Sequence, residues 1–169
     1  MQNNILKKSD RGFTLIELMV VLIIMGIIAA IASPSFFGLL SRNRLNESFQ
    51  QLLGAINETQ RLAMRRGISC TINFDTNNNN ITANPAECML QRRNIDSEII
   101  IRTNFPGATP NISFSHKGTT TRMGTIVLSS SNTDLQKCFV ISLGLGIMRT
   151  GNYTGSPTGS VSAANCQTQ

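Results

Sequence analysis

Twenty-four consecutive residues, Leu18 to Ser41, carry no charge, and the residue just before them is an acid, Glu17, set inside an otherwise apolar run. As a helix, a run of that length is enough to cross a hydrocarbon layer of about 30 Å. Lys7, Lys8 and Arg11 precede it, and no cation follows until Arg42. This asymmetry predicts an orientation with residues 1–12 cytoplasmic and the bulk of the chain outside. The N-terminus has the basic region and apolar stretch of a secretory signal. Ala30, Ala32 and Ser33 could form a cleavage site, yet the run continues through Pro34 to Phe36, Phe37, Leu39 and Leu40. The remaining chain is polar and rich in Asn, Ser, Thr and Gly, and 169 residues allow one domain of ordinary size plus this attached segment.

The stretch Gly12-Phe13-Thr14-Leu15-Ile16-Glu17 behind a short basic leader resembles the processing site of class III signal peptides, those of type IV pilins and type II secretion pseudopilins. The resemblance implies a dedicated prepilin peptidase and methylase that cuts after Gly12 on the cytoplasmic side and methylates the new N-terminal residue, Phe13. The apolar segment is then kept. It also implies a role for Glu17. A lone carboxylate in a membrane helix costs several kcal/mol, so it calls for a partner, and the α-amino group of a neighbouring subunit's first residue supplies one. Glu17 is then an assembly device joining pilin or pseudopilin subunits. The plainer alternative is a helix-end Glu reaching toward the lipid headgroups.

Beyond the span, Leu45, Phe49, Leu52, Ile56, Thr59 and Ala63 recur at steps of three and four, while Arg42, Arg44, Glu47, Gln51 and Glu58 occupy the other face. The spacing predicts a helix from Thr14 to Arg66, roughly 80 Å long, ended by Gly67 and bent or loosened at Ser33-Pro34. Alternating patterns predict strands at 68–74, 81–83, 99–102, 112–114, 125–128 and 138–143, with a turn over Asp75 and Asn77 to Asn80. Residues 151–165 read as an exposed tail or loop. The expected class is α+β: a long N-terminal transmembrane and amphipathic helix packed against a small antiparallel β-rich head, in one sheet or two. The expected parts are a leader 1–12, a transmembrane and assembly half of the helix 13–40, and a periplasmic or extracellular head 41–169. The localisation that follows is the bacterial inner membrane, single-pass, and then a pilus or periplasmic pseudopilus.

Four cysteines, Cys70, Cys88, Cys138 and Cys166, fall on the outer side, where an even count favours disulfides. Three connectivities exist. The preferred one joins Cys70 to Cys88 across the Asn-rich hairpin and Cys138 to Cys166, pinning the tail to a core strand. A zinc site is disfavoured, since there is no CxxC and the single histidine, His116, lies in a Ser-His-Lys-Gly turn. With Asp75 and Asp134 elsewhere in sequence, His116 makes no recognisable triad, there is no phosphate-binding Gly-rich loop, and no catalytic residue or cofactor is expected. The chain reads as a non-enzyme.

Residues 53–66, with NETQRLAMRRG at their end, then Ile112-Ser113-Phe114, Gly118, Thr125 to Leu128, Val140-Ile141-Ser142 and Gly146 to Arg149, are similar to the GspH/FimT family. That family comprises H-type pseudopilins of type II secretion and FimT-like minor pilins of type IV pili. FimT-like pilins of natural transformation bind DNA through a GRxR-like stretch that corresponds to Gly146-Ile147-Met148-Arg149. The second arginine is present as Arg149, and Ile147 replaces the first. Removal of residues 1–12 lowers the formal net charge from +6 to about +4. Phosphate binding needs several cations on one surface, so Arg149 would act with Lys137, Arg122, Lys117 and Arg102, with Tyr153 and the Gly-rich tail close to Arg149 in sequence. Scattered solubilising charge is the bland alternative, and Arg65-Arg66 and Arg92-Arg93 read as solvated faces or packing ends. The expected function is a minor pilin of a type IV pilus that captures double-stranded DNA for uptake. The alternatives are an H-type pseudopilin and, more distantly, an unprocessed membrane anchor.

Overall fold

The computed structural model describes residues 12–107 and 109–168, without the side chains of 31–35. The basic leader, residues 1–11, lies outside the described residues. Two compact units divide between Phe37 and Gly38, and one helix, α1 (Leu15–Arg66), contributes to each.

In the first unit, residues 12–14 precede the helix and Thr14 opens it. The Thr14 hydroxyl accepts the Glu17 N–H at 3.3 Å, and its carbonyl accepts the Leu18 N–H at 3.2 Å. Threonine at the cap with glutamate three residues on is the spacing of a capping box, and an acid in the first turn also complements the positive end of the helix dipole. The aliphatic side chains from Leu15 to Ile28 are exposed all around the helix. Among the described residues no helix is long and apolar enough to cross a membrane. The span expected over 13–40 is therefore not shown here: it runs through residues 31–35, whose side chains are not described. The bend expected at Ser33-Pro34 falls on those same residues.

In the second unit the rest of α1 buries the stripe Leu45, Phe49, Leu52, Ile56, Thr59 and Ala63. The one polar member is satisfied locally, Thr59 donating its hydroxyl to the Ala55 carbonyl at 2.8 Å. Gly67 ends the helix in the left-handed region, φ +68°, and the Ile68 N–H returns to the Ala63 carbonyl at 3.2 Å. This six-to-one bond closes a Schellman cap, which glycine forms without a Cβ penalty.

Among the described residues nine strands follow: β1 (Cys70–Asp75), β2 (Asn80–Asn84), β3 (Arg93–Asn94), β4 (Ile99–Thr103), β5 (Asn111–Phe114), β6 (Gly124–Ser130), β7 (Thr133–Ile141), β8 (Met148–Tyr153) and β9 (Cys166–Gln167). They form two antiparallel sheets, ordered β3-β2-β1-β5 and β4-β6-β7-β8-β9. At the β1–β2 turn the Asp75 carboxylate accepts Nδ2 of Asn78 at 2.6 Å and the backbone N–H groups of Asn77 and Asn78 at 3.0 and 3.1 Å.

One buried cluster joins the helix stripe to both sheets, through Ile72, Phe74 and Phe114 on the first and Ile126, Leu128, Phe139 and Ile141 on the second. Each such side chain withdrawn from water contributes about 1.5–3 kcal/mol. The opposite face of the five-stranded sheet carries a smaller cluster, Val127, Cys138, Val140, Tyr153 and Cys166, with Val161 and Ala163 packed on it.

Disulfides join Cys70 to Cys88 and Cys138 to Cys166, the pairs read from the sequence. The second holds β9 against β8, and the reading of 151–165 as an exposed tail or loop is corrected at its start: residues 151–153 complete β8 and Tyr153 is buried, while most of 154–165 is an exposed loop. Gly151 permits that closure, because a Cβ there would collide with the backbone carbonyl of Gln167.

Candidate functional site

At the N-terminal end, Gly12 has open space where a Cβ would lie and Phe13 is 83% exposed. The bond between them is therefore sterically open. Glu17 lies one helical turn further, its backbone N–H held by Thr14 and its side chain exposed. The Thr14-x-x-Glu17 spacing was readable in sequence as a capping signal; it gives Glu17 a local role that the reading as an assembly device left out.

The cations expected to act together are separated by the register of the five-stranded sheet. Lys137 pairs with Asn152 and Val140 with Arg149. Residues 137 and 140 have opposite parity along β7, so Lys137 and Arg149 project from opposite faces. Lys137 is on the side of α1, donating to Oδ1 of Asn152 at 2.8 Å in a cleft shared with Asn46, Phe49 and Gln50. Arg149 is exposed on the outer face and donates to the Ala163 carbonyl at 3.0 Å.

Arg102 is committed elsewhere. Its guanidinium donates to the carbonyls of Ser156 and Gly159, both at 3.0 Å, and to Oε1 of Gln136 at 2.6 Å, and lies 5.8 Å from the centre of the Tyr153 ring. This network fastens the 154–160 segment to β4, which leaves neither Arg102 nor Tyr153 free for a phosphate.

Lys117 and Arg122 come to the same end of the sheet as Arg149. Lys117 is exposed in the turn 115–118, which is anchored to the helix by Nε2 of Gln60 on the carbonyl of the buried Gly118 at 2.9 Å. His116 is exposed in that turn. Thr120 and Gly144 exchange two backbone bonds, 2.8 and 2.9 Å, which lay the β7–β8 loop beside this segment. Gly144 and Gly146 take positive φ there, +88° and +65°. Arg122, half-buried, has its N–H on the Thr120 hydroxyl at 3.1 Å.

Sequence reasoning missed what these cations border. An open groove of about 570 Å³ lies at this end of the sheet, lined by Met123, Val140, Leu143, Ile147, Arg149 and Ala163 among others. Met123, Leu143, Leu145 and Ile147 are 66%, 62%, 75% and 62% exposed. The signal was present as Ser-Leu-Gly-Leu-Gly-Ile, aliphatics between glycines in a loop. Among the described residues no group of His, Cys, Asp and Glu is placed to hold a metal ion.

Residues 7–33 match the prokaryotic N-terminal methylation motif, and residues 48–145 match the family described as type II transport protein GspH. The fimbrial protein EcpC of Eikenella corrodens is 50% identical over 44 residues, covering 26% of this chain and 29% of that protein. The type IV major fimbrial protein FimA of Dichelobacter nodosus is 40% identical over 76 residues, 43% of this chain and 48% of that one. The chain thus spans less than half the length of the curated relatives it matches. Among solved structures, the type IV minor pilin FimU of Pseudomonas aeruginosa superposes with TM-score 0.53 at 15% identity, over 64% of this chain and 88% of that one. The minor pseudopilin EpsH of the Vibrio cholerae type 2 secretion system gives 0.53 at 11% identity, over 64% and 97%. At such identities the likeness carries the fold, a helix packed on antiparallel sheets. With more than half of its residues matched by one family model, this chain belongs to the type II transport protein GspH family and has the fold of type IV minor pilins and type II minor pseudopilins.

Proposed function

We propose that the chain is a minor subunit of a type IV pilus: the leader is removed after Gly12, Phe13 becomes the methylated N-terminus, and the apolar segment resides in the inner membrane before it is drawn into the filament. The observation that carries this reading is the acid at Glu17, five residues into the processed chain and at the head of a helix clothed in exposed aliphatics. Buried among lipids or neighbouring helices, that carboxylate needs a cation, and an adjacent subunit's α-amino group meets the need. The test is a Glu17→Gln substitution followed by the amount of the protein in sheared filaments against the amount in membranes. Incorporation should fall at least about tenfold, as expected for a lost buried charge pair worth more than 1.4 kcal/mol, with the membrane level unchanged. Unaltered incorporation would remove the proposal.

The match to the GspH family favours a second reading, an H-type pseudopilin of type II secretion, in which the same helix chemistry builds a short periplasmic filament. A deletion strain scored for both transformation and protein secretion separates the two. Capture of double-stranded DNA is the finer part of the pilus reading. It draws support from the charge of residues 99–169, where Arg102, Lys117, Arg122, Lys137 and Arg149 face one acid, Asp134. With Lys137 on the other face and Arg102 engaged, DNA capture would rest on Arg149, Arg122 and Lys117. Binding by the full chain in detergent micelles should then weaken steeply with salt and fall on Arg149→Gln.

A further inference from the structure

We propose that the groove at the β7–β8 loop is a docking site for an aliphatic, acidic protein segment, carried by a different subunit of the filament. Soluble surfaces scatter large aliphatics singly, whereas four here share one end of one sheet, and three of them, Met123, Leu143 and Ile147, line one groove. The loop that presents them is held in place: the Thr120–Gly144 bonds fix its edge, the Ser142 N–H bonds the Ile147 carbonyl at 3.0 Å, and Gly146 packs under Gln60 and Gly118. A partner would therefore meet a formed surface and pay little ordering entropy.

Charge selects the partner. Among the described residues Arg149 is the only charged side chain lining the groove, with Arg122 next to Met123 in sequence. The nearest acid on this sheet, Asp134, is at the opposite end of β7, since Ile141 and not Thr133 pairs toward Gly124 and Met148. The complement of an aliphatic floor with a cationic rim is an aliphatic segment bearing carboxylates. A second copy of this chain fits poorly. In the second unit its own exposed aliphatics beside acids are Leu90 near Glu87 and Ile100 near Glu98, and those acids are held by Arg66 at 2.9 Å and Arg44 at 2.6 Å; Leu15, Ile16 and Leu18 beside Glu17 belong to the helix segment that the proposed function buries among lipids or neighbouring helices. Nucleic acid fits the apolar floor poorly, because single strands call for aromatic stacking platforms and duplexes for a run of cations; DNA held by Arg149, Arg122 and Lys117 would compete for the cationic rim and leave Met123, Leu143 and Ile147 uncontacted.

Naming the partner as a filament subunit rests on the proposed function; the chemistry of the groove does not. The test uses the full chain in detergent micelles with labelled Met, Leu and Ile methyl groups, and two capped peptides, Leu-Glu-Val-Glu-Leu and Leu-Lys-Val-Lys-Leu. The acidic peptide should shift the methyl resonances of Met123, Leu143 and Ile147 in a saturable way, and the basic one should not. Ile147→Ser and, independently, Leu143→Ser should abolish the shifts. Arg149→Gln should weaken binding by about three- to fivefold, as expected for one exposed charge pair, with less loss at high salt. Equal response to both peptides, or to neither, overturns the proposal. So do a duplex oligonucleotide that shifts the same methyls at physiological salt, and a shift of those methyls on dilution, which would point to self-association. None of these outcomes depends on how Glu17→Gln behaves in filaments, so the two readings fail separately.

Discussion

Both sheets of the head pack on the same helix through one apolar core, and among the described residues only one of them adds ion pairs to that attachment. The four-stranded sheet and its loops are bolted on by ion pairs: Arg44 with Asp96 and Glu98, Glu58 with Arg93, and Arg66 with Glu87. Among the described residues these are all the ion pairs, and each links α1 to the 87–98 segment. The five-stranded sheet meets α1 through Ile126, Leu128, Phe139 and Ile141, with the Gln60–Gly118 bond at its margin. On one side charge is spent internally. On the other the cations Lys117, Arg122 and Arg149 have no ion-pair partner among the described residues, and the aliphatics of the β7–β8 loop are uncovered. A surface whose charges are already neutralised has little left with which to select a partner, so recognition belongs to the five-stranded side.

If the attachment of the five-stranded sheet is apolar, its largest core side chain should matter most. Phe139 is fully buried against the helix, and Phe139→Ala should cost about 3–5 kcal/mol, read as a lowered midpoint in denaturant unfolding. A loss below about 1 kcal/mol would mean that the sheet is held by something other than this packing.

On the ion-paired side the same logic predicts a smaller and graded loss. Glu58 is 15% exposed; it holds Arg93 at 2.6 Å through one oxygen and the Leu90 N–H at 2.7 Å through the other. Arg93 fills the space beside Gly54, where a Cβ would lie 2.7 Å from Nη1. Glu58→Ala strands a half-buried guanidinium and an amide and should cost about 2 kcal/mol. Arg66→Ala removes only an exposed pair and should cost less than about 1 kcal/mol. Equal effects from the two would break the distinction between a clamp and a surface pair.

The helix was legible because each part of its signal is local. Six residues at three- and four-step spacing define a stripe, and a glycine at the end takes a conformation that other residues avoid. The cysteine pairs were legible for a related reason: Asn-rich turn chemistry brings Cys70 and Cys88 together, and Cys166 had one core strand left to join. The missing strands lacked such signals. β8 reads Met-Arg-Thr-Gly-Asn-Tyr, with polar residues at three central positions and one buried side chain, Tyr153, so no alternation marks it. β3 and β9 are two residues each, below any periodic signature. The cation set failed for want of register: only the pairing of Val140 with Arg149 reveals that Lys137 faces the other way. Glu58 and Arg93 are 35 residues apart, and nothing in sequence joins them.

The smallest effect separates the two sides by pH. Asp75 is held below the usual carboxylate range, first by the side-chain amide of Asn78 and then by the backbone N–H groups of Asn78 and Asn77. A carboxyl whose pKa is depressed by folding stabilises the native state fully above its unfolded value, about 3.9, and loses that contribution as pH falls through the lower folded value. Asp75 is half-buried at the end of β1 and its partners all lie in the β1–β2 turn, so the change is local to that turn. A carbon-detected NMR titration should place the Asp75 midpoint below about 3.9, and amide exchange in Asn77 to Asn80 should quicken as pH falls through that midpoint, before that of β6 and β7 changes. Asp75→Asn should flatten this response while leaving the five-stranded side unaltered. A midpoint at or above the ordinary value would show that the Asn78 amide does not engage the carboxylate in solution, and acid would then no longer distinguish one sheet from the other.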